Sequence, residues 1–481
     1  MTAAIGAGTA LLRRLPGRLD VRTELSPRRG QITALAGCAG VAVAALAVVP
    51  AAPGYDAWSW LVWGREVAAL ELSTTGGPAF KPLPVAVCAL LAPFGELAPA
   101  LWVWLALTGA LIAVVLAIRL GWELSGGSCL AGGAAGAGVA FAGQYLALAA
   151  GGGSEGLLLA STLLGVLAIR KRRPGAALAC AAACGLLRVE TWPFLLLAAG
   201  LAWRRRAADR RLLIALVLVI PALWFVPEWI GSGDALRSAE RARVPNPGQP
   251  ALAAFPALAS LGEAAHLFLL PVAAGVAGLF LARPPRAAAL ALGAAGAAWL
   301  ALVAAMSQAG FSGEGRYALP GIGLLAVAGG VGLAEATRRL GALGDRRVTV
   351  GLVSLLLAAS VLPRALDLRD VRAALTHRAR LSAGLEAAVE TMGGPGAVLR
   401  CGRPYVGSLR GPLAAWHLGV DKRRVGFRAR VPGVLFRSRL DPRARLTPAP
   451  RPEFRKALTT ETWEVAVACG ASRAAGGSTL R

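Results

Sequence analysis

Two carboxylates of this chain lie where an acid could catalyse group transfer. Asp56 follows the first apolar run, in Tyr55-Asp56-Ala57-Trp58, and is a candidate general base. It could equally cap the helix that the next residues predict, and the two roles are compatible. Glu155 begins a later apolar run and is the second candidate, although an acid at a helix start also favours the helix dipole.

Two cationic segments could bind an anion near these acids. Lys81 lies in Phe80-Lys81-Pro82-Leu83-Pro84, and Arg316 lies in Gly313-Glu314-Gly315-Arg316-Tyr317. An arginine can hold a phosphate through two parallel hydrogen bonds, and the Tyr317 hydroxyl could add a third. The alternatives are a lipid headgroup contact for Lys81 and surface anchoring for Arg316 with Tyr317. Glu314 is a supporting candidate.

Arg188 and Glu190 lie at the junction of two short apolar runs. They could neutralise each other or support substrate binding. Bare charges are costly in hydrocarbon, so we expect this junction to be buried in protein or to face a watery cavity.

The elements that must position these residues are membrane spans. The chain has 481 residues, 56% of them hydrophobic, and a mean hydropathy of +0.59, which indicates lipid rather than water as the solvent of its helices. The pattern predicts an all-α polytopic membrane protein with about eleven transmembrane helices. The predicted spans cover about 33–51, 97–118, 128–148, 154–169, 175–187, 190–203, 212–229, 262–282, 287–306, 318–336 and 347–363.

The net charge of +25 does not indicate nucleic acid as a partner, because the basic residues cluster in alternate loops between apolar runs. This is the positive-inside pattern, which predicts a plasma-membrane protein with a cytoplasmic N-terminus and, for an odd number of spans, an extracytoplasmic C-terminus. The clusters are Arg13, Arg14, Arg18, Arg22, Arg28 and Arg29 before the first span, then Arg170 to Arg173, Arg204 to Arg211, Arg283 and Arg286, and Arg338 to Arg347.

Three regions follow from this topology. Residues 1–32 are a basic cytoplasmic segment, 33–365 a transmembrane domain with extracytoplasmic loops at about 52–96 and 230–261, and 366–481 a small extracytoplasmic α+β domain. The tryptophan-rich stretch after Asp56 predicts an amphipathic helix in the membrane interface, with its tryptophans at headgroup depth. Strands are predicted at 397–400 and 463–468, and Cys401 and Cys469 could form a disulfide outside the cytoplasm.

Other familiar chemistries are absent from the sequence. It contains no HExxH or Walker motif. Its three histidines, His266, His377 and His417, lack ligand-like spacing, which argues against a histidine metal site. A site with carboxylates and phosphate-binding cations at one membrane surface remains.

The order and sidedness of the four segments resemble the GT-C superfamily of polyprenyl-phosphate-dependent glycosyltransferases, including the protein mannosyltransferase-like and aminoarabinose transferase-like families. The family pattern has an acid after the first span, which Asp56 resembles, and a Lys-Pro-Pro-like motif, which Phe80-Lys81-Pro82-Leu83 resembles. It also has an acid at the start of a later helix, which Glu155 resembles. An Arg-Tyr-x-x-Pro motif resembles Arg316-Tyr317-Ala318-Leu319-Pro320. The resemblance covers about residues 30–365.

The resemblance implies a transferase that moves a sugar from a polyprenyl-phosphate donor to a glycan, lipid or protein acceptor outside the cytoplasm. If the roles of the family's motif residues apply here, Asp56 would deprotonate the acceptor, and Lys81 and Arg316 would bind the donor phosphate. Glu155 would orient the acceptor or a divalent cation. Whether a cation is used is left open. A transporter or flippase of lipid-linked glycans is the alternative, and a non-catalytic membrane scaffold is a third. Transporters more often show internal repeats and midplane charges, which this sequence does not show clearly.

Overall fold

The computed structural model describes residues 27–206, 208–282 and 286–470. The predicted cytoplasmic segment up to residue 26, with Arg13, Arg14, Arg18 and Arg22, and the loop residue Arg283 lie outside the described residues. Within them the chain is mostly helical, with one small sheet near the C-terminus. A mostly helical polytopic fold is therefore confirmed.

The first half of the described chain runs through α1 (Pro27–Val48), α2 (Tyr55–Ala68), α3 (Pro82–Leu91), α4 (Ala98–Ser125), α5 (Cys129–Ala140), α6 (Tyr145–Ala150), α7 (Glu155–Arg170), α8 (Pro174–Leu187) and α9 (Trp192–Arg204). The second half adds α10 (Arg210–Ser232), α11 (Arg237–Ala242), α12 (Pro256–Leu267), α13 (Leu270–Gly278), α14 (Ala287–Gln308), α15 (Leu319–Leu343), α16 (Arg346–Thr391), α17 (Gly394–Cys401) and α18 (Gly411–His417). The strands are β1 (Arg403–Val406), β2 (Gly433–Ser438), β3 (Arg455–Thr459) and β4 (Trp463–Ala468).

Every predicted span falls on helical structure, but not every helix is long enough to cross a bilayer. Among the described residues, six helices pass by length and composition, or seven if α12 and α13 count as one span bent by 100°. A hydrocarbon layer of about 30 Å needs about 20 helical residues, and α5, α7, α8 and α9 have 16 or fewer. The predicted count of eleven is not confirmed.

Helix α15 is the central helix of the bundle. In its most apolar window 83% of the residues are buried by protein, against 11% for α1 and 0% for α16. Small residues such as Ala326, Ala328 and Gly330 let its neighbours approach closely, as is typical of helix packing in membranes. The apolar surfaces of α1 and α16 are left outside the packed core, where lipid can cover them.

The helix predicted after Asp56 is present as α2, but its predicted surroundings are wrong. Trp58, Trp60 and Trp63 are only 6%, 1% and 0% exposed, because they pack against α3, α4 and the C-terminal residues rather than facing lipid. Arg65 on the same helix donates to the carbonyls of Ala415, Trp416 and Val420. An amphipathic sequence shows that one face is covered, but it does not show whether lipid or protein covers it.

The C-terminal region is α+β, as predicted. Its four-stranded sheet has the order β1-β2-β4-β3, with β1 and β2 parallel and the other pairs antiparallel. The strand predicted at 463–468 is confirmed as β4, whereas the one predicted at 397–400 is wrong, because these residues form part of helix α17. Helix α16 runs through the predicted boundary between residues 365 and 366, and its last turns pack on Trp463.

A disulfide joins Cys401 at the end of α17 to Cys469 just after β4. The two cysteines are 68 residues apart, so the bond closes a loop that contains the whole sheet. A disulfide of this kind is typical of proteins on the oxidising side of a membrane. It supports the predicted extracytoplasmic position of this region.

We expect Cys469→Ser to lower the stability of the C-terminal region by about 2–4 kcal/mol, because an unlinked unfolded chain has more conformational entropy to lose on folding. The measurement is the midpoint of thermal unfolding of the purified protein in detergent, together with resistance to limited proteolysis. Cys129→Ser is the matched control, since Cys129 is an exposed free cysteine. Equal midpoints for the two variants would contradict the expectation.

Candidate active site

The eight residues that the sequence singles out meet at one end of the bundle. Asp56 lies in the first turn of α2, Lys81 directly precedes α3, Glu155 begins α7, Arg188 follows α8, and Arg316 lies in the short 3-10 turn Gly315–Ala318 that leads into α15. Four of these helix ends are N-termini, whose free N–H groups and dipoles favour an anion. The arginine-rich ends of α7, α9 and α15 lie at the opposite side of the bundle.

Asp56 pairs with Arg316 across 260 residues of sequence. Arg316 Nη1 donates to Asp56 Oδ2 at 2.8 Å, and the side chains are 27% and 21% exposed, so the pair is open to a ligand. Burial by itself would raise the pKa of Asp56, but the positive charges of Arg316 and Lys81 outweigh it and hold this pKa below its usual value. Asp56 is therefore ionised at neutral pH, as a general base must be.

The loop before α7 holds Glu155 beside the start of α2. Gly54 N donates to Gly151 O at 2.8 Å, and the Trp102 indole donates to Gly152 O at 2.9 Å. Gly152 has a φ of +73°, and a Cβ there would approach Ala57 and Trp102 to 3.0 Å. Glycine is required in this loop for both reasons, and the close approach sets the two carboxylate-bearing helix starts side by side.

Lys81 enters the same site from the α3 side. Its Nζ donates to Ser154 Oγ at 3.1 Å and lies 5.0 Å from the centre of the Trp60 ring. Burial, together with the positive charge of Arg188, lowers the pKa of Lys81 to about 8, although Glu155 and Asp56 act in the other direction. Ser154 is the only hydrogen-bond partner of this ammonium among the described residues, so two of its three protons are available to a ligand.

Arg188 and Glu155 form the buried part of the site. Arg188 Nη2 donates to Glu155 Oε1 at 2.9 Å, with the side chains only 4% and 3% exposed. Glu190 lies 3.6 Å from the other terminal nitrogen of Arg188. The Tyr317 ring lies 4.3 Å from the Arg188 guanidinium and 5.3 Å from that of Arg316. Glu155 is thus the main partner of Arg188, ahead of the predicted partner Glu190.

The segment that carries Arg316 is fastened by neighbouring helices. Glu263 accepts from Gly315 N at 2.7 Å, and the Trp299 indole donates to Tyr317 O at 2.8 Å. Glu314 accepts from Gln249 and makes an ion pair with Arg316. These contacts hold Arg316 and Tyr317 in place at the site.

A cavity of about 470 Å³ opens onto these residues. Asp56, Lys81, Arg316 and Tyr317 line one side of it. The C-terminal region forms another wall, so that the cavity is shared between the helical bundle and the α+β region. The residues of that wall are Gly407, Ser408, Leu409, Phe427, Thr447 and Pro448.

A second, larger cavity of about 770 Å³ lies among α7, α8, α9, α14 and α15. Its lining is mainly apolar, with Leu195, Trp299 and Leu324 among its residues. One end contains Thr191 and Pro320, which follow the site residues Arg188 and Tyr317 by three positions. The other end reaches Arg172, Arg173 and Arg205. We refer to this mainly apolar cavity as the apolar groove.

Several residues of the site escaped the sequence analysis. Ser154 is the partner of Lys81, and Arg241 lines the cavity. Lys422, from the C-terminal region, donates to the Tyr55 hydroxyl at 2.7 Å, directly beside Asp56. Ser154 was adjacent to a predicted site residue, which was a usable signal, whereas no local pattern relates Lys422 to Tyr55.

Asp56 and Glu155 are each paired with an arginine, so both carboxylates already have a positive partner before a ligand binds. In residues 27–206, 208–282 and 286–470, one group of potential metal ligands has its atoms within 4.8 Å of one another, and it lies elsewhere: Glu96, Glu386 and His417. Two of the three are exposed acids.

Comparison with known proteins shows which solved structures have a similar fold. No family model and no curated protein matches the chain. Solved structures do match: ArnT from Cupriavidus metallidurans bound to undecaprenyl phosphate aligns with a TM-score of 0.55 at 15% identity, covering 93% of this chain and 99% of that chain. The apo state of ArnT aligns with a TM-score of 0.53 at 16% identity, covering 92% and 99%. The chain therefore has an ArnT-like polytopic membrane fold over nearly its whole length, which agrees with the predicted GT-C resemblance.

Proposed function

We propose that this protein is a membrane glycosyltransferase that moves a sugar from a polyprenyl-phosphate donor to an acceptor outside the cytoplasm. The observation that carries the proposal is the ionised carboxylate of Asp56 in an open cavity beside Arg316 and Lys81. Attack on an anomeric carbon bonded to phosphate needs a base for the acceptor and cations for the leaving group. The ArnT-like fold and the undecaprenyl phosphate bound in that neighbour support the same class of donor.

The proposed chemistry is a single group transfer. The acceptor oxygen bonds to the anomeric carbon, the bond from that carbon to the phosphate oxygen breaks, and Asp56 takes the acceptor proton. The polyprenyl phosphate leaves with an added negative charge, which Lys81, Arg316 and the Tyr317 hydroxyl stabilise. Because Arg316 pairs with Asp56 before the donor binds, a bound phosphate would compete for this guanidinium and free the carboxylate for the acceptor.

Arg188, Glu190, Glu155 and Glu314 have supporting parts in the proposal. The buried pair with Glu155 fixes Arg188 against Tyr317, next to the proposed phosphate position. The role that the resemblance implies for Glu155, orienting the acceptor or a cation, stays a prediction. Glu314 would orient Arg316 from the outer side.

The apolar groove is the proposed place of the prenyl chain. It starts near Arg188 and Tyr317 and continues among apolar residues of membrane helices, so the phosphate and the tail of one lipid could occupy both regions together. Its volume of about 770 Å³ is large enough for a substantial part of such a chain. The acceptor would then reach Asp56 through the cavity that the C-terminal region helps to form, which gives that region a part in acceptor binding.

The test is transfer of radiolabelled sugar by purified protein in lipid vesicles. Polyprenyl-phosphate hexoses and pentoses are supplied as donors, and cell-envelope fractions, separated into glycan, lipid and protein, as acceptors. Label that moves from a lipid donor to one acceptor class supports the proposal and identifies the sugar and the acceptor. If no donor yields transfer but vesicles move lipid-linked glycans between leaflets, the transporter alternative replaces it.

A further inference from the structure

The buried carboxylate of Glu228 near the end of α10 has no part in the chemistry proposed above. This residue has 0% exposure. Arg237 donates to it twice, from Nε to Oε2 at 2.6 Å and from Nη2 to Oε1 at 2.7 Å. Thr74 Oγ1 donates to Oε2 at 3.0 Å, and Ser238 Oγ donates to Oε1. A buried carboxylate with four donors is fully satisfied and therefore rigidly held.

The same donors fasten the loop that leads to Lys81. Arg237 Nη2 also donates to Pro78 O at 3.0 Å, and Phe80 N donates to Ser238 Oγ at 2.7 Å. The start of the loop is attached as well, because Thr74 N donates to Gly231 O at 3.1 Å. The loop from Thr74 to Phe80 is thus bound to the end of α10 and the start of α11 at three points.

The attachment at Gly231 allows no larger residue. A Cβ there would lie 2.9 Å from Thr74 Oγ1 and 3.0 Å from Thr74 N, so a side chain would push the loop away from α10. Two rings complete the packing: Phe80 contacts Trp63 at 5.7 Å between ring centres, and Arg237 lies 5.9 Å from the Trp63 ring. The last fastened residue, Phe80, is bonded directly to Lys81.

We propose that Arg237 and Ser238, both held by Glu228, are positioning residues for Lys81, which hold its backbone so that the ammonium reaches the donor phosphate. Neither side chain lines the cavity, so they act through Lys81 and not on the donor. This inference rests on the proposed function. An ammonium on a flexible four-carbon stem binds a phosphate well only if its backbone is held in place, because any additional conformational freedom of the backbone costs entropy when the phosphate binds.

The test is a double-mutant cycle on the affinity for undecaprenyl phosphate, measured with the full-length protein in detergent. Arg237→Lys keeps the charge but loses the two-bond contact, and Ser238→Ala removes the acceptor of Phe80 N with little loss of volume. Each change is made in the wild-type background and in Lys81→Met. Arg119→Lys is the matched control, since Arg119 forms an ion pair with Glu123 on α4, away from the site.

We expect Arg237→Lys and Ser238→Ala to weaken binding about tenfold in the wild-type background and less than twofold in Lys81→Met, because coupled residues are not additive. The control should change affinity by less than twofold in both backgrounds. A merely structural role predicts equal losses in the two backgrounds, and that result would overturn the inference. A wild-type protein that binds no undecaprenyl phosphate would overturn the proposed function itself, which is a distinct outcome.

Discussion

Asp56→Asn should reduce the rate of sugar transfer by roughly 10²–10⁴-fold, the usual contribution of a positioned general base. Asparagine has nearly the shape of aspartate but cannot accept the acceptor proton at neutral pH. The loss should appear in kcat, measured with saturating lipid donor. Binding of undecaprenyl phosphate should be retained or become tighter, because the substitution releases Arg316 from its ion pair with the carboxylate.

Two controls make the Asp56 result specific. Asp370→Asn removes a carboxylate from an exposed position of α16 that does not line the cavity, and should leave both kcat and binding unchanged. Thermal unfolding of the Asp56 variant should stay within a few degrees of wild type, which shows that the site is folded. Undiminished transfer in the Asp56 variant would remove this residue from the role of base.

Lys81→Met should lower kcat/KM by roughly 10²–10³-fold, comparable to the loss of one preorganised donor to a developing negative charge. Methionine keeps much of the length and apolar contact of the lysine stem but has no charge. Because the cation acts on the phosphate both in the bound donor and in the transition state, we expect KM to rise and kcat to fall. Steady-state kinetics over a range of donor concentrations separates the two effects.

The same lysine should produce a pH dependence. Its pKa of about 8 in the free protein means that the ammonium is present below pH 8 and is lost as the pH rises through that value. The pKa of Asp56 is held below its usual value, and burial raises that of Tyr55 to about 12, so neither titrates between pH 6 and 10. Burial also lowers the pKa of Lys422 to about 8, but this ammonium bonds the Tyr55 hydroxyl and does not line the cavity, so we assign the decline to Lys81. The wild-type kcat/KM should therefore be level up to about pH 8 and then fall towards the Lys81→Met value.

The Lys81→Met variant is its own test of this assignment. Its kcat/KM should show no decline between pH 7 and 10, since the titrating group is gone. A decline of the same size and midpoint in both proteins would mean that another group titrates. Lys456→Met, at an exposed position on β3, should keep the wild-type profile.

The sequence determined the class of this protein and most of its helices. Apolar runs of membrane length act locally, because every backbone polar group in lipid must be satisfied within its own segment. Each predicted span accordingly falls on helix. The number of membrane-spanning helices was harder to predict from the sequence. Helices α5, α7, α8 and α9 are too short to cross a typical bilayer, and their position depends on how their neighbours pack.

Prediction was weaker wherever apolar residues had two ways to be covered. The tryptophans of α2 are covered by protein and not by the headgroup region, and residues 397–400 form a helix although their composition is compatible with a strand. The pattern of α2 correctly indicated a helix with one covered face, and that of residues 397–400 correctly indicated regular secondary structure. The surface that covers α2 is distant in sequence: Trp58 packs on Trp416, which lies more than 300 residues further along the chain.

Residue type and position were enough to identify which side chains could do chemistry, because an acid or a cation beside a membrane span is costly and therefore uncommon. How these side chains combine depends on the folded molecule. In the fold, Asp56 pairs with Arg316 and Glu155 pairs with Arg188. Phe427 of the C-terminal region lines the cavity, and Lys422 of the same region bonds Tyr55. These pairings depend on the packing of helix ends that are distant in the chain, which no local spacing encodes. The buried Glu228 lay in a predicted span and was a visible signal, but its link to the Lys81 loop exists only in the folded molecule.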